Sequence, residues 1–146
     1  MQTGIFIHST PELDGSIFEK TVIFIAEHND KGALGFVTNQ PFPRGLNELE
    51  EFRHVKAFPL LLGGPVDREH LYFVHRRPEL IPGGVAVGGG AFLGGDFKIA
   101  VHLINNNTLT ERDIRIFIGY CGWDAGELEA EIEEGSWSIL EAATLF

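Results

Sequence analysis

The short stretch with the most groups capable of chemistry is Glu27-His28-Asn29, which places a carboxylate, an imidazole and an amide side by side. It follows an apolar, mostly β-branched run that predicts a strand buried on both faces. Burial shifts the pKa values of carboxyl and imidazole groups, so this position suits acid–base catalysis. The same side chains could instead satisfy backbone groups at a turn, and the residues alone favour that structural role.

Cys121 is the only thiol and lies within residues 119–123, whose sequence is GYCGW. Its glycine neighbours could leave it reachable by a base such as His75 or His102, which is the arrangement of a thiol enzyme. No neighbour in the sequence is cationic enough to lower its pKa, and free cysteines are usually small buried residues. We therefore expect Cys121 to pack between a strand and a helix. A single cysteine also excludes an internal disulfide and favours a reducing cytoplasm.

Metal, nucleotide and serine-hydrolase sites each need a spacing that this chain does not show. The six histidines form no His-Glu-x-x-His pair, and none lies near a second cysteine. The glycine-rich segment 83–95 lacks the third glycine of the dinucleotide fingerprint and the Lys-Ser/Thr pair of a P-loop. None of the four serines lies in Gly-x-Ser-x-Gly. We therefore expect no metal and no cofactor, and we assign no catalytic residue.

Hydrophobic periodicity and turn formers predict the strands that must position these residues. The predicted strands cover residues 4–8, 21–26, 33–39, 58–62, 71–75 and 114–120. Turn chemistry at residues 29–32 makes residues 21–39 a predicted hairpin, and its first strand is expected at the centre of the sheet. The segment 83–95 is expected to be either a loop or a closely approached strand.

Three helices are predicted from apolar spacing and capping residues. Residues 46–52 carry a short amphipathic pattern with acids between the apolar positions. Asp96 is the expected N-cap of a second helix that ends at residues 105–107, and a strand is the alternative for this segment. Asp124 and Glu127 have the spacing of a capping box for a third helix, which Gly135 ends.

Length and charge limit the classes of function that this chain can have. Its 146 residues have 11 Lys+Arg against 21 Asp+Glu, a formal net charge of −10. We assign residues 1–146 to a single domain, large enough to fold without a disulfide or metal. No apolar run is long enough for a membrane span, and residues 1–4 carry no basic residue of a signal peptide. The negative charge disfavours direct binding to nucleic acid or to a membrane.

Four sequence blocks together resemble the AlgH/YqgE family of bacterial proteins. Residues 18–41 show the pattern FxxTVxxxAEHNxxGAxGxVxNxP, and residues 63–66 are GGPV. Residues 73–75 are FVH, and residues 119–131 show GYxGWxxGxLExE, followed by Trp137. The Gly-Gly-Asp of residues 94–96 looks like the variant in Bacteroidetes members. The blocks follow the family order and span most of the chain.

The resemblance implies an α/β (α+β-like) fold in which a branched, mostly antiparallel sheet curls into a pseudo-barrel with flanking helices. It implies no established catalytic residues, cofactor or DNA-binding motif, although the family name descends from a proposed role in transcriptional regulation. The chain departs from the family pattern in having Glu127 in place of glutamine and Leu71-Tyr72 in place of Arg-Gly. It also stops soon after Trp137, where many members continue.

We therefore predict a cytoplasmic, non-catalytic binding or regulatory module that regulates transcription indirectly through a protein or small-molecule partner. One alternative is a small hydrolase-like enzyme that uses a pocket containing Glu27, His28, Asn39 and His75. Another is a regulator that binds DNA directly, which the charge opposes. The predicted ligand-binding residues are Glu27, His28, Asn29, Asn39, His75 and Asp96.

Overall fold

The computed structural model describes residues 3–146, and Met1 and Gln2 of the predicted domain lie outside the described residues. Its strands are β1 (Phe6–Ser9), β2 (Val22–Asn29), β3 (Gly32–Val37), β4 (Leu61–Leu62), β5 (Val66–His75), β6 (Val85–Gly88), β7 (Ala91–Leu93), β8 (Ile114–Asp124) and β9 (Trp137–Leu140). The α-helices are α1 (Phe97–Asn105) and α2 (Glu127–Glu133), and short 3-10 turns cover Pro11–Leu13, Leu46–Glu48 and Glu50–Phe52. No helix among residues 3–146 is long and apolar enough to cross a membrane.

The strands form one branched sheet in the order β6-β7-β5-β8-β3-β2-β1-β9. The short strand β4 branches from this path and pairs in parallel with β8, whereas the other strand pairs are antiparallel. The sheet curls into a half-barrel that carries the two helices. This arrangement confirms the predicted α+β class and the branched, mostly antiparallel sheet.

The predicted hairpin over residues 21–39 is present, because β2 and β3 pair from Ile23 with Val37 to Asn29 with Gly32. Its first strand is buried on both faces, as predicted. Phe24 packs in one core cluster, and Ile23 and Ile25 pack in another with α2 and β9. β2 is an interior strand, between β3 and β1, but it is not the central one. The centre is β8, which pairs with β3, β4 and β5.

The predicted helix over residues 46–52 is wrong, because two 3-10 turns meet there at an extended Leu49 with φ −82° and ψ 138°. In so short a segment, the few helical hydrogen bonds do not offset the unfavourable free energy of helix nucleation. Tertiary contacts decide its shape: the Leu46 backbone N–H donates to the Phe58 carbonyl, and the Leu46 side chain is fully buried. The predicted strand 58–62 shortens to β4, since Pro59 has no backbone N–H to donate.

The other two helices form where the sequence places them, with one change of cap. Asp96 caps α1 as predicted, because its side chain accepts a hydrogen bond from the Ile99 backbone N–H. Asp124 does not cap α2, since it is the last residue of β8 and pairs with Gly32. Gly126, with φ 75°, takes the N-cap position without a side-chain bond. The glycine-rich segment 83–95 was expected to be either a loop or a closely approached strand. It contains the strands of the β6–β7 hairpin, which agrees with the second of these expectations.

Candidate functional site

The indole groups of Trp123 and Trp137 converge on one carboxylate of α2. Their Nε1–H groups donate to the same Oε1 atom of Glu131, at 3.1 Å and 3.0 Å. Trp123 comes from β8 and Trp137 from β9, and both side chains are buried. This carboxylate therefore joins two strands of the sheet to the helix that covers them. The resemblance blocks around residues 119–137 thus contribute to one packed unit.

His28 contacts the same helix at Glu129, two residues before Glu131. Its Nε2 atom lies 3.2 Å from Oε1 of Glu129, which is an ion-pair distance without hydrogen-bond alignment. The His28 side chain is 14% exposed, and its Nε2 atom is buried. The backbone amide of Glu129, and next the His28 imidazole, lower the pKa of the Glu129 carboxyl. His28 therefore faces α2.

Glu27 and Asn29 lie together on the surface of the β2–β3 turn. The Asn29 Oδ1 atom accepts from the Lys31 backbone N–H at 2.8 Å, and its Nδ2 group donates to Glu27 Oε1 at 3.3 Å. A side chain on Gly32 is excluded by geometry, since its φ is +141° and an added Cβ would lie 2.1 Å from the Trp123 carbonyl. Glu27 and Asn29 line an open groove of about 410 Å³ with Tyr120 of β8.

Asn39 stabilises the opposite end of the same hairpin by hydrogen bonds to the backbone. Its Oδ1 atom accepts from the Val22 backbone N–H at 3.0 Å, and its Nδ2 group donates to the Lys20 carbonyl at 2.9 Å. Both halves of the amide are thus bonded to backbone groups.

His75 is fully buried at the end of β5. Its Nε2 atom lies 3.0 Å from the Gly94 carbonyl, and its Nδ1 atom accepts from the Arg77 backbone N–H at 3.1 Å. These partners require a neutral ring with the proton on Nε2. Desolvation by the surrounding protein lowers the pKa of His75.

The six predicted ligand-binding residues are thus divided among separate places in the fold. Glu27 and Asn29 share a groove, His28 faces α2, and Asn39, His75 and Asp96 each bond to backbone groups elsewhere. Within residues 3–146, no group of three His, Cys, Asp or Glu side chains could hold a metal ion. Ligand binding by these residues remains a prediction.

Cys121 packs in the interior as the sequence indicates. It is 2% exposed, and its Sγ atom lies 3.5 Å from the Gly63 carbonyl. Burial raises the pKa of the thiol to about 12. The thiol is therefore protonated and shielded at neutral pH, which is unsuited to a nucleophile.

Sequence reasoning missed a polar cluster on the bulge of β5. Asp67 has φ 54°, and its Oδ1 atom lies 2.6 Å from His70 Nδ1, while the Tyr72 hydroxyl donates to Oδ2. The hydrogen bond to Asp67 raises the pKa of Tyr72 to about 12 and also raises the pKa of His70. The pairing of β5 with β8 shifts between Val66 and Leu71, so strand alternation could not bring this cluster together. The one feature of the sequence that could have pointed to this cluster was the departure from the family pattern at residues 71–72.

Two open grooves, also missed from the sequence, flank an aromatic contact between Phe52 and Phe97. The rings meet edge to face with centroids 5.7 Å apart, and both residues line both grooves. The α1 groove, of about 540 Å³, runs along the helix and is lined by Phe52, His54, Val55, Phe97, Lys98, Val101, His102 and Asn105. The β5 groove, of about 580 Å³, has three acids on its wall: Glu50, Glu51 and Glu69. The signal for them was the pair of apolar patterns at 46–52 and 97–104.

Comparison with known proteins identifies related sequences along almost the whole chain. The AlgH-like family model matches residues 6–146. A UPF0301 protein of Chlorobium phaeobacteroides is 39% identical over 150 residues, which cover 98% of this chain and 76% of that protein. A UPF0301 protein of Bacteroides fragilis is 34% identical over 138 residues, covering 93% of this chain and 69% of the relative.

Two solved structures resemble the fold. The solution structure of the AlgH protein from Pseudomonas aeruginosa has a TM-score of 0.74 and 26% identity, with 96% of this chain and 77% of that chain covered. A crystal structure of a Corynebacterium diphtheriae protein has a TM-score of 0.79 at 19% identity, with 98% and 77% covered, and this likeness concerns the fold alone.

Proposed function

The chain belongs to the AlgH-like family, and on that premise we propose that it is a non-catalytic binding module of the cytoplasm that regulates transcription indirectly. It acts by binding another molecule at the exposed face around Phe52 and Phe97. The Bacteroidetes origin suggested by residues 94–96 stays a prediction.

The observation that carries this proposal is the pair of open grooves on either side of the Phe52–Phe97 contact. Phe97 packs against Phe73 of the core with ring centroids 5.1 Å apart, so the floor of the face is anchored. An apolar depression on a rigid support, with polar side chains at its margin, is the usual form of a binding site. The two volumes fall within the range of known ligand pockets.

The arrangement of the family's polar residues also favours binding over catalysis. A hydrolase based on Glu27, His28 and His75 needs these groups around one substrate. Both ring nitrogens of His75 contact backbone groups, and His28 faces Glu129. These side chains therefore support the scaffold on which the grooves lie.

Charge supports the indirect mode of regulation. The formal net charge of −10 repels a phosphate backbone. A regulator of this kind acts without contacting DNA itself.

The test is a matched pair of substitutions on α1. Val101→Glu places a carboxylate on the apolar floor of the α1 groove, whereas Ile99→Glu places it at a 36% exposed position of the same helix outside that lining. Each gene replaces the chromosomal copy, and transcript profiles are compared with those of the deletion strain. We expect Val101→Glu to match the deletion and Ile99→Glu to match the wild type. Wild-type transcripts in both strains, at equal protein levels, contradict the proposal.

A further inference from the structure

We propose that the α1 groove binds a small amphiphilic anion, an apolar acyl or aryl body that ends in a carboxylate. The inference rests on the proposed binding function and adds the chemical class of the ligand. It follows from the separation of apolar and polar side chains along α1, from the charge of the rim, and from the volume of the groove.

Helix α1 presents two parallel rows of side chains to the groove. Phe97 and Val101, one turn apart, form the inner apolar row and continue onto Phe52 and Val55 across the groove. Lys98 and His102 stand one position further along and form the outer polar row. The groove thus offers an apolar bed for a hydrocarbon body and a polar edge for one head group.

The outer row carries exposed donor groups that no protein acceptor in the described part of the chain engages. Among the ion pairs of residues 3–146, none involves Lys98, His102 or the facing His54, and no hydrogen bond of their side chains is present in that part of the chain. The acid closest in sequence to Lys98, Asp96, accepts from the Ile99 backbone N–H as the cap of α1. An ammonium and two imidazole rings therefore remain able to donate to a ligand oxygen.

The α1 groove and the neighbouring β5 groove differ in the charge of their linings. Asp+Glu outnumber Lys+Arg by 21 to 11 in the chain, yet the α1 groove has no carboxylate in its lining. The β5 groove carries three carboxylates, Glu50, Glu51 and Glu69, beside Arg68 and His70. Charge complementarity therefore assigns an anion to the α1 groove and not to its neighbour.

The dimensions favour a small molecule over a folded partner. The groove of about 540 Å³ follows one nine-residue helix, and such a volume is typical of metabolite sites. A folded partner generally buries about 800 Å² on each side.

Three probes with ten-carbon chains test this proposal by calorimetric titration of the full chain, below the micelle concentrations of the two ions and the solubility limit of the alcohol. Decanoate carries the carboxylate, decan-1-ol lacks the charge, and decyltrimethylammonium reverses it. We expect saturable one-to-one binding of decanoate, weaker binding of decan-1-ol and none of the cation. Lys98→Gln and His102→Gln, both at exposed positions, each weaken decanoate binding about 2- to 5-fold. Lys31→Gln, on the distant β2–β3 turn, is the matched control and leaves the affinity unchanged.

Three results overturn the inference: no saturable decanoate binding, equal affinity for decan-1-ol, or decanoate binding unaltered in both the Lys98 and His102 variants. Sedimentation with anionic vesicles, or capture of an acidic peptide, without decanoate binding overturns it as well. The titration and the cellular test distinguish failure of this inference from failure of the proposed function. If Val101→Glu matches the deletion in cells while decanoate does not bind, the binding function stands and the ligand class is wrong. If decanoate binds but Val101→Glu retains wild-type transcripts, the regulatory role fails and the ligand class stands.

Discussion

Trp123 and Trp137 pack edge to face, with ring centroids 6.2 Å apart and planes at 81°. Both donate to the same oxygen of Glu131, so the aromatic contact and the polar contact depend on each other. β8 and β9 lie at different places in the sheet order, and α2 is the element that both indoles share. We infer that this junction holds β9, at one end of the sheet, against β8 at its centre.

The first prediction concerns this junction. Glu131→Ala leaves two largely buried indole N–H groups without their acceptor, and we expect it to lower the free energy of unfolding by about 2–4 kcal/mol. Glu131→Gln retains a neutral acceptor and should cost less than Glu131→Ala. Glu133→Ala, on the exposed face of the same helix, is the control. Urea denaturation measures all three, and equal stability of Glu131→Ala and Glu133→Ala contradicts the role of the junction.

The second prediction is a pH dependence carried by His75. Burial lowers the pKa of His75 in the folded protein below its ordinary value of 6.5. Below that pH the unfolded chain therefore binds a proton at this residue more readily than the folded chain does. Stability from this group is present above pH 6.5 and falls with decreasing pH, by at most about 1.4 kcal/mol per pH unit. We expect the loss between pH 7.5 and pH 5 to be smaller in His75→Gln, as measured by chemical denaturation. The other histidines are common to both proteins, so an identical loss contradicts the prediction.

Local patterns in the sequence predicted the elements whose signals are local. The hairpin of β2 and β3, the Asp96 cap of α1 and the end of α2 near Gly135 all depend on residues within a few positions of one another. The prediction of a helix over residues 46–52 was wrong, because a hydrogen bond from Leu46 to Phe58, twelve residues away, determines the backbone conformation there. The Asp124 cap failed because strand pairing with Gly32 outweighs a capping pattern.

The candidate site was less predictable, since grooves arise where separate elements meet. Phe52 and Phe97 belong to segments with recognisable apolar patterns, but the patterns do not show that the two rings touch. The polar residues of the resemblance blocks were conspicuous by type, and the structure places His28 and Glu131 in contacts of the scaffold. Residue type alone does not distinguish a polar side chain that supports the fold from one that meets a ligand.

The third prediction concerns Cys121, whose removal should leave the fold and any cellular phenotype intact. Native Cys121 should react slowly with a thiol reagent at pH 8, because the thiol is buried and its pKa is raised to about 12. Between about pH 9 and that value the unfolded chain ionises while the folded thiol stays protonated. Stability of the wild type should therefore fall with rising pH relative to Cys121→Ala, by at most about 1.4 kcal/mol per pH unit. Fast native labelling, with loss of phenotype in Cys121→Ser, supports a thiol enzyme instead.

The fourth prediction is that the isolated protein does not bind DNA specifically. Its 11 Lys+Arg residues are dispersed along a chain of net charge −10 and make no extended face for neutralising phosphates. A mobility-shift titration near physiological ionic strength checks this, with a salt series for any complex that forms. Specific, salt-sensitive binding by the protein alone refutes the prediction, whereas binding only with a partner present agrees with indirect regulation.

The last prediction is that Glu27-His28-Asn29 holds the hairpin and its neighbours together and does no chemistry. Asn29 bonds to the turn through Lys31 and to Glu27, and His28 contacts Glu129 of α2, so each side chain joins parts of the scaffold. His28→Ala and Asn29→Ala should each lower the melting temperature, with about 1 kcal/mol lost for Asn29→Ala and less for Asn29→Asp, which keeps an acceptor for the turn. Glu27→Gln keeps the acceptor for Asn29 and should lower the melting temperature least. Loss of function in cells should follow the loss of stability. If His28→Ala melts like the wild type while its phenotype equals that of a deletion, His28 is a functional group and the enzyme alternative is the better account.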